Sequence, residues 1–156
     1  ALACSSPAQA QAAGHTVTVT EQVRLGVPPA RAWAAIENFL TWPSWHPAFA
    51  GTRLLEGDGH SAGTVRLLSA RDGAQFTEEL LVHDDKALRL QYRILQSPAP
   101  VVGYRSTLSV KPDRAGSTVT WSSDFEVKAG ASEAEVRQLI AGIYRQGLDH
   151  LAGSFE

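Results

Sequence analysis

The sequence predicts an α+β domain: a curved antiparallel sheet of about seven strands wrapped on a long C-terminal helix, with two short helices after the first strand. Three observations carry this. Residues 16–25 alternate strictly, with Val17, Val19, Val23 and Leu25 on one side, and period-two alternation marks a half-buried strand. Residues 52–128 then read as alternating runs separated by turn signals. Near the end, Val136, Leu139, Ile140, Ile143, Leu148 and Leu151 recur at helical spacing, an apolar stripe suited to cover a sheet. A strongly bent sheet with a helix across its concave face leaves a space between the two.

The elements follow in order. Pro28-Pro29 stands where the first strand ends, and proline suits a helix's first turn because the amide hydrogen it lacks would be unpaired there anyway. Trp33, Ile36 and Leu40 then recur at helical spacing, which predicts a short helix to about residue 39. Trp42-Pro43-Ser44-Trp45-His46-Pro47 cannot continue it, since each proline disfavours helix in the residue before it; a tight corner with one helical turn is expected. Strand-like runs lie at 64–70, 75–83, 87–94, 103–110 and 117–127. Turn signals stand at Gly57-Asp58-Gly59, Asp72-Gly73, Asp84-Asp85-Lys86 and 112–116, and connections this short make neighbouring strands antiparallel. Ser132 is a good N-cap and Glu135 completes a capping box, opening a helix to about residue 152. Gly142 and Gly147 fall inside it, where each costs about 1 kcal/mol against alanine. Close packing on the sheet or room for a bound molecule would account for them.

Composition excludes several classes. Charged residues are 19% of the chain, the net charge is -2, and the two signs are interspersed. The basic stripe that phosphate neutralisation needs is absent, so no nucleic acid partner is expected. No apolar run approaches the roughly 18 residues of a membrane span, so no transmembrane segment is expected. His15, His60, His83 and His150 show no metal-ligand spacing, and neither a metal nor another cofactor is predicted. Ser44 beside His46 lacks the surroundings of a nucleophile elbow. Ala10-Gln11-Ala12 has the small-x-small form read by signal peptidase. Residues 1–15 are therefore expected to be a signal-peptide remnant or a disordered tail, residues 16–156 a single domain, and the location periplasmic or secreted. Ala3-Cys4 fits a lipoprotein site less well, because Ala1 and Leu2 sit badly for that motif.

The order of elements resembles the START-like (SRPBCC) superfamily, which includes polyketide cyclase/dehydrase-like bacterial proteins, the birch-pollen allergen group and the plant abscisic acid receptors. The matching words are residues 27–33, the corner at 42–47, Gly63-Thr64-Val65-Arg66, Thr77-Glu78-Glu79-Leu80, Asp84-Asp85, Gly103-Tyr104-Arg105-Ser106 and residues 143–148. They span essentially everything after Val17. The resemblance implies a helix-grip fold and an exported bacterial member that holds a small hydrophobic molecule (a lipid, a sterol-like compound or an aromatic metabolite) in an internal cavity, without catalysis. It leaves two alternatives: a cyclase- or dehydratase-type enzyme using Glu78, Tyr104 and His46 as acid/base groups, and a periplasmic accessory protein of a redox system with a protein partner of unknown identity. By similarity to the receptors, His46 stands where a lysine meets the hormone's carboxylate, Glu78 at their cavity glutamate, and Tyr104 and Ser106 at their Tyr-x-Ser pair. Their Ser-Gly-Leu-Pro gate is missing; residues 69–73 form a plain turn there, so the likeness does not extend to gated inhibition of a phosphatase.

Alternation alone also selects cavity residues. Phe76, Glu78, Leu80 and Val82 share a face, as do Leu88, Leu90, Tyr92 and Ile94. So do Val102, Tyr104, Ser106, Leu108 and Val110, and Val119, Trp121, Ser123, Phe125 and Val127. Polar groups among such apolar rows need partners, because an unpaired buried hydroxyl or carboxylate costs several kcal/mol. The ligand-binding candidates are His46, Arg66, Glu78, Tyr92, Tyr104, Ser106 and Trp121. For Glu78 the choice lies between a buried ion pair and a ligand acceptor. A two-residue turn at Asp72-Gly73 would set Arg66 opposite Glu79, while a three-residue turn with Gly73 left-handed would pair Arg66 with Glu78. The resemblance favours the second.

Overall fold

The alternation of the first run becomes strand β1 (Val17–Leu25), with Val17, Val19 and Leu25 buried, in a computed structural model that describes residues 14–156. The expected leader, apart from Gly14 and His15, lies outside the described residues. After the prolines come helix α1 (Pro29–Ile36) and, at the corner, one turn of 3-10 helix over Trp42–Ser44. Six strands follow: β2 (Phe49–Glu56), β3 (Val65–Ala70), β4 (Gln75–Asp84), β5 (Arg89–Gln96), β6 (Val101–Asp113) and β7 (Gly116–Val127). Helix α2 (Glu133–Ser154) closes the chain, and the Ser132 hydroxyl accepts from Glu135 N at 3.3 Å as its cap. The seven strands form one antiparallel sheet in the order β1-β7-β6-β5-β4-β3-β2. Among the described residues no helix is long and apolar enough to cross a membrane.

Register shifts interrupt the β2–β3, β4–β5 and β6–β7 ladders. Each bulge bends its strand and adds twist, which curves the sheet around α2. The β3–β4 hairpin decides the position of Arg66. Ala70 N donates to Ala74 O at 2.8 Å, leaving a three-residue loop of Arg71, Asp72 and Gly73, and Gly73 has φ +95°. Arg66 therefore pairs with Glu78. Strand β2 had no alternating run of its own in the sequence. It is an edge strand with two register shifts and mostly exposed side chains, so little of it faces a core that would impose a period.

One expectation for α2 is corrected. Its buried face is Val136, Ile140, Tyr144, Gly147, Leu148 and Leu151, whereas Leu139 is 46% exposed and Ile143 is only half-buried. The helix is rotated so that Tyr144 enters the core and the 139–143 edge faces a gap beside the sheet.

Candidate functional site

The site grows from the β3–β4 register. Arg66 Nε and Nη2 both donate to Glu78 Oε1, at 3.1 and 2.8 Å, and Nη1 donates to Phe39 O at 2.6 Å. The guanidinium lies 3.6 Å from the Phe39 ring centroid and 3.9 Å from that of Trp42, so aromatic faces replace the water it gives up. Both partners are buried. Burial pushes the Glu78 carboxyl up and the Arg66 guanidinium down, while their mutual attraction opposes both shifts.

Next to the pair lies a chain of hydroxyls. Tyr104 and Tyr144 are hydrogen-bonded through their phenols, and Tyr144 Oη also meets Ser106 Oγ at 3.1 Å. Trp121 Nε1 donates to Ser106 Oγ at 3.0 Å and to Tyr92 Oη at 3.2 Å, and the Trp121 and Tyr144 rings stack with centroids 4.3 Å apart. Ser106 donates to Ser122 O at 3.1 Å. Burial raises the Tyr92 phenol to about 12 and those of Tyr104 and Tyr144 well above the usual value, so all three hold their protons at neutral pH.

His46 is held from two sides. Nε2 donates to Ile143 O at 2.8 Å, and Nδ1 accepts from Ala48 N at 3.2 Å. Burial is the main cause that lowers its pKa to about 4, so the ring is neutral. Its face lies against Gly147, where a Cβ would come within 2.4 Å of His46 Cδ2. Close packing accounts for this glycine, although the contact is with the corner rather than the sheet. Gly142 has no neighbouring atom within 4 Å of where its Cβ would lie and is exposed.

The space expected under α2 is divided in two. The inner pocket is only about 30 Å³, room for roughly one or two waters, and is lined by Glu78, Tyr92, Tyr104, Trp121, Tyr144 and Trp42 among others. The indole N–H of Trp42 has no protein acceptor among the described residues. Outside it lies an open groove of about 490 Å³. Its walls are the corner after His46 (Pro47, Ala48, Phe49), the β3–β4 turn, the Pro98-Ala99-Pro100 loop, and Leu139, Ile143 and Gln146 of α2. Phe49, Phe76, Ala99 and Ile143 line both spaces and form the partition. The expectation of a single internal cavity is corrected accordingly: large aromatic side chains fill its depth and leave its mouth open.

All seven sequence candidates fall in one buried cluster, with Arg66 and Glu78 at one end, the Tyr92–Tyr104–Ser106–Trp121 network in the middle, and His46 against Trp121 with ring centroids 5.8 Å apart. The groove residues Phe49, Arg71, Pro98 and Pro100 were not among them. Sequence contained one signal for the groove, the paired prolines around Ala99, which rule out a central strand there. A further group, Glu37, His83 and Asp85, brings ligand-type atoms within 4.8 Å of one another from two separate stretches of chain. Internal bonds account for it: Glu37 Oε2 meets His83 Nε2 at 2.8 Å, and Asp85 Oδ1 accepts from Trp33 Nε1 at 2.9 Å.

The family model described as polyketide cyclase/dehydrase and lipid transport matches residues 16–156. The chain belongs to this family. It resembles the protein XoxI from Bacillus cereus, with 30% identity, 90% of this chain and 94% of that one covered, and a TM-score of 0.76. An uncharacterised protein from Bacillus thuringiensis is 31% identical over 90% of this chain and 98% of its own, with a TM-score of 0.78. The crystal structure of Ara h 8.0201 matches with a TM-score of 0.75 over 90% of this chain and 98% of that one; at 20% identity this shows the fold alone. The helix-grip architecture is therefore the ligand-binding fold of the polyketide cyclase/dehydrase and lipid transport family, in a version whose inner cavity is largely occupied by its own aromatic residues.

Proposed function

We propose that the protein binds a small hydrophobic molecule and carries it unchanged, with the open groove as the primary seat. The observation that carries this reading is the groove itself: about 490 Å³, predominantly apolar, and edged by Leu139, which a folded domain would otherwise cover. Glu78, Tyr92, Tyr104 and Trp121 are the residues that a molecule reaching past the partition would meet, with Arg66, Ser106 and His46 holding them in place. Their mutual bonding supports carriage over acid–base chemistry, since a general acid or base must be free to exchange a proton with substrate. Export belongs to the same proposal and rests on Ala10-Gln11-Ala12; N-terminal sequencing of protein from its native host should find a start near Ala13, and an intact cytosolic chain would overturn it.

Native mass spectrometry of gently purified protein, followed by titration with an apolar fluorophore such as N-phenylnaphthylamine, tests the binding. Leu139→Glu places a charge in the groove at an exposed position, so it should abolish fluorophore binding and leave the unfolding midpoint almost unchanged. Undiminished binding by that variant would remove the groove from consideration.

A further inference from the structure

Behind the partition, polar side chains are largely taken up by one another. On the groove side, the charged or amide side chains in the wall are Arg71, Asp72 and Gln146. Asp72 Oδ1 already accepts from Ala74 N at 2.9 Å, which ties that carboxylate into the turn. Arg71 is placed differently. Its backbone N donates to Ala48 O at 2.9 Å and its Nε donates to Pro47 O at 2.8 Å, so the side chain is braced across the groove's rim by the corner opposite. Among the described residues, no carboxylate lies within ion-pair distance of it, and both terminal nitrogens lack a protein acceptor. The result is an oriented guanidinium with its two-pronged end unused at the edge of an apolar trough.

From this we infer that the groove takes amphiphiles carrying a carboxylate, with the apolar body against Phe49, Phe76, Leu139 and Ile143 and the carboxylate on Arg71. The inference rests on the groove reading above and adds the class of ligand to it. His46 does not compete for the anion, because it is buried and neutral and both its nitrogens are engaged. A guanidinium already fixed at Nε presents its remaining donors in a planar fork that matches two carboxylate oxygens, and little further side-chain freedom is lost on binding. A neutral ligand of the same shape would gain only the apolar contacts.

The experiment compares decanoate, decanol and decyltrimethylammonium by isothermal titration at neutral pH, at low and at high salt, on the native protein and on Arg71→Gln, Arg71→Lys and Asp72→Asn. In native protein decanoate should bind about tenfold tighter than decanol at low salt, a margin that narrows as salt screens an exposed charge. Arg71→Gln should bring decanoate down to the level of decanol without moving decanol itself, and Arg71→Lys should keep part of the margin. Asp72→Asn retains the acceptor of the turn but removes a neighbouring negative charge, so it should strengthen decanoate alone. Equal affinity for acid and alcohol in native protein, tighter binding of the cation, or an Arg71→Gln effect common to all three ligands would overturn the role of Arg71 while the groove stands. Binding of none of the three would overturn the groove reading and this inference together.

Discussion

Gly147→Ala should destabilise the protein even though alanine is the better helix former. The change gains roughly 1 kcal/mol of helix propensity. Against this, the added methyl would lie 2.4 Å from His46 Cδ2, 2.8 Å from Nε2 and 3.1 Å from Cγ. The ring cannot step aside cheaply, because Ile143 O and Ala48 N hold it at both nitrogens and Phe49 and Trp121 pack against it. Overpacking of this kind costs about 1–3 kcal/mol. Displacing the imidazole also strains or breaks a buried hydrogen bond worth about 1–3 kcal/mol. The net expectation is a loss of about 1–5 kcal/mol, read as a lower urea midpoint at unchanged slope. Gly142→Ala is the internal control: with no atom within 4 Å of its Cβ position it should gain up to about 1 kcal/mol. In a His46→Ala background the Gly147→Ala cost should vanish or reverse, a coupling at least as large as the cost itself. If Gly147→Ala stabilises as much as Gly142→Ala, the close approach of corner and helix does not exist and the reasoning fails.

Three further outcomes are expected. His46 is held near 4 against an ordinary value of 6.5, so the unfolded chain binds the extra proton; stability is whole above about pH 6.5 and falls by about 3 kcal/mol towards pH 4. Urea titrations across that range measure the slope, and His46→Asn should flatten it. Glu78→Gln leaves a buried guanidinium without its carboxylate and should cost about 3–5 kcal/mol, seen as a lowered midpoint; a neutral result would mean that the pair contributes nothing to folding. All three tyrosines of the chain are buried with raised pKa values, so absorbance at the tyrosinate band should stay flat through the usual phenol range near pH 10. Because the unfolded phenols ionise first, stability falls as pH rises past that range, and tyrosinate should appear together with unfolding. A separate, earlier tyrosinate step would show one phenol to be accessible.

Local rules carried far into this fold where one face of an element is buried and failed where none is. The alternation of β1 and the capping serine at 132 read directly, because each is set by neighbours in sequence. The turn at Arg71-Asp72-Gly73 left two registers open, and only the pairing of Arg66 with Glu78 distinguishes them. Edge strand β2 carries Leu54 and Leu55 about 40% exposed, so its pattern resembles neither strand nor turn. On α2, Leu139 and Ile143 fit the same apolar spacing as Ile140 and Tyr144, and an offset of one residue rotates the face by about 100°. Which edge enters the core depends on contacts from the corner at His46, 97 residues away along the chain. The polar members of the cluster were legible as interruptions of apolar rows. The partition was not, since Phe49, Phe76, Ala99 and Ile143 meet only after four separate segments have packed.

That partition gives the buried polar cluster a definite role at the groove. Hydrogen bonds inside a low-dielectric core reinforce one another and fix the positions of the side chains they join. Here the cluster fixes the inner face of α2 through Tyr144, which stacks on Trp121 and bonds Ser106 and Tyr104. It fixes the same helix one residue earlier through Ile143 O, the acceptor of His46. Ile143 projects its side chain into the groove wall, and Leu139 lies one turn before it. On the sheet side, Arg66 holds the Phe39 carbonyl and the Trp42 ring, from which the chain runs through the corner to Phe49. Both walls of the apolar trough are thus tied to one polar core. A loss of Glu78 or His46 should therefore loosen the groove as well as the fold, and would weaken ligand binding by way of stability even if neither residue touches the ligand.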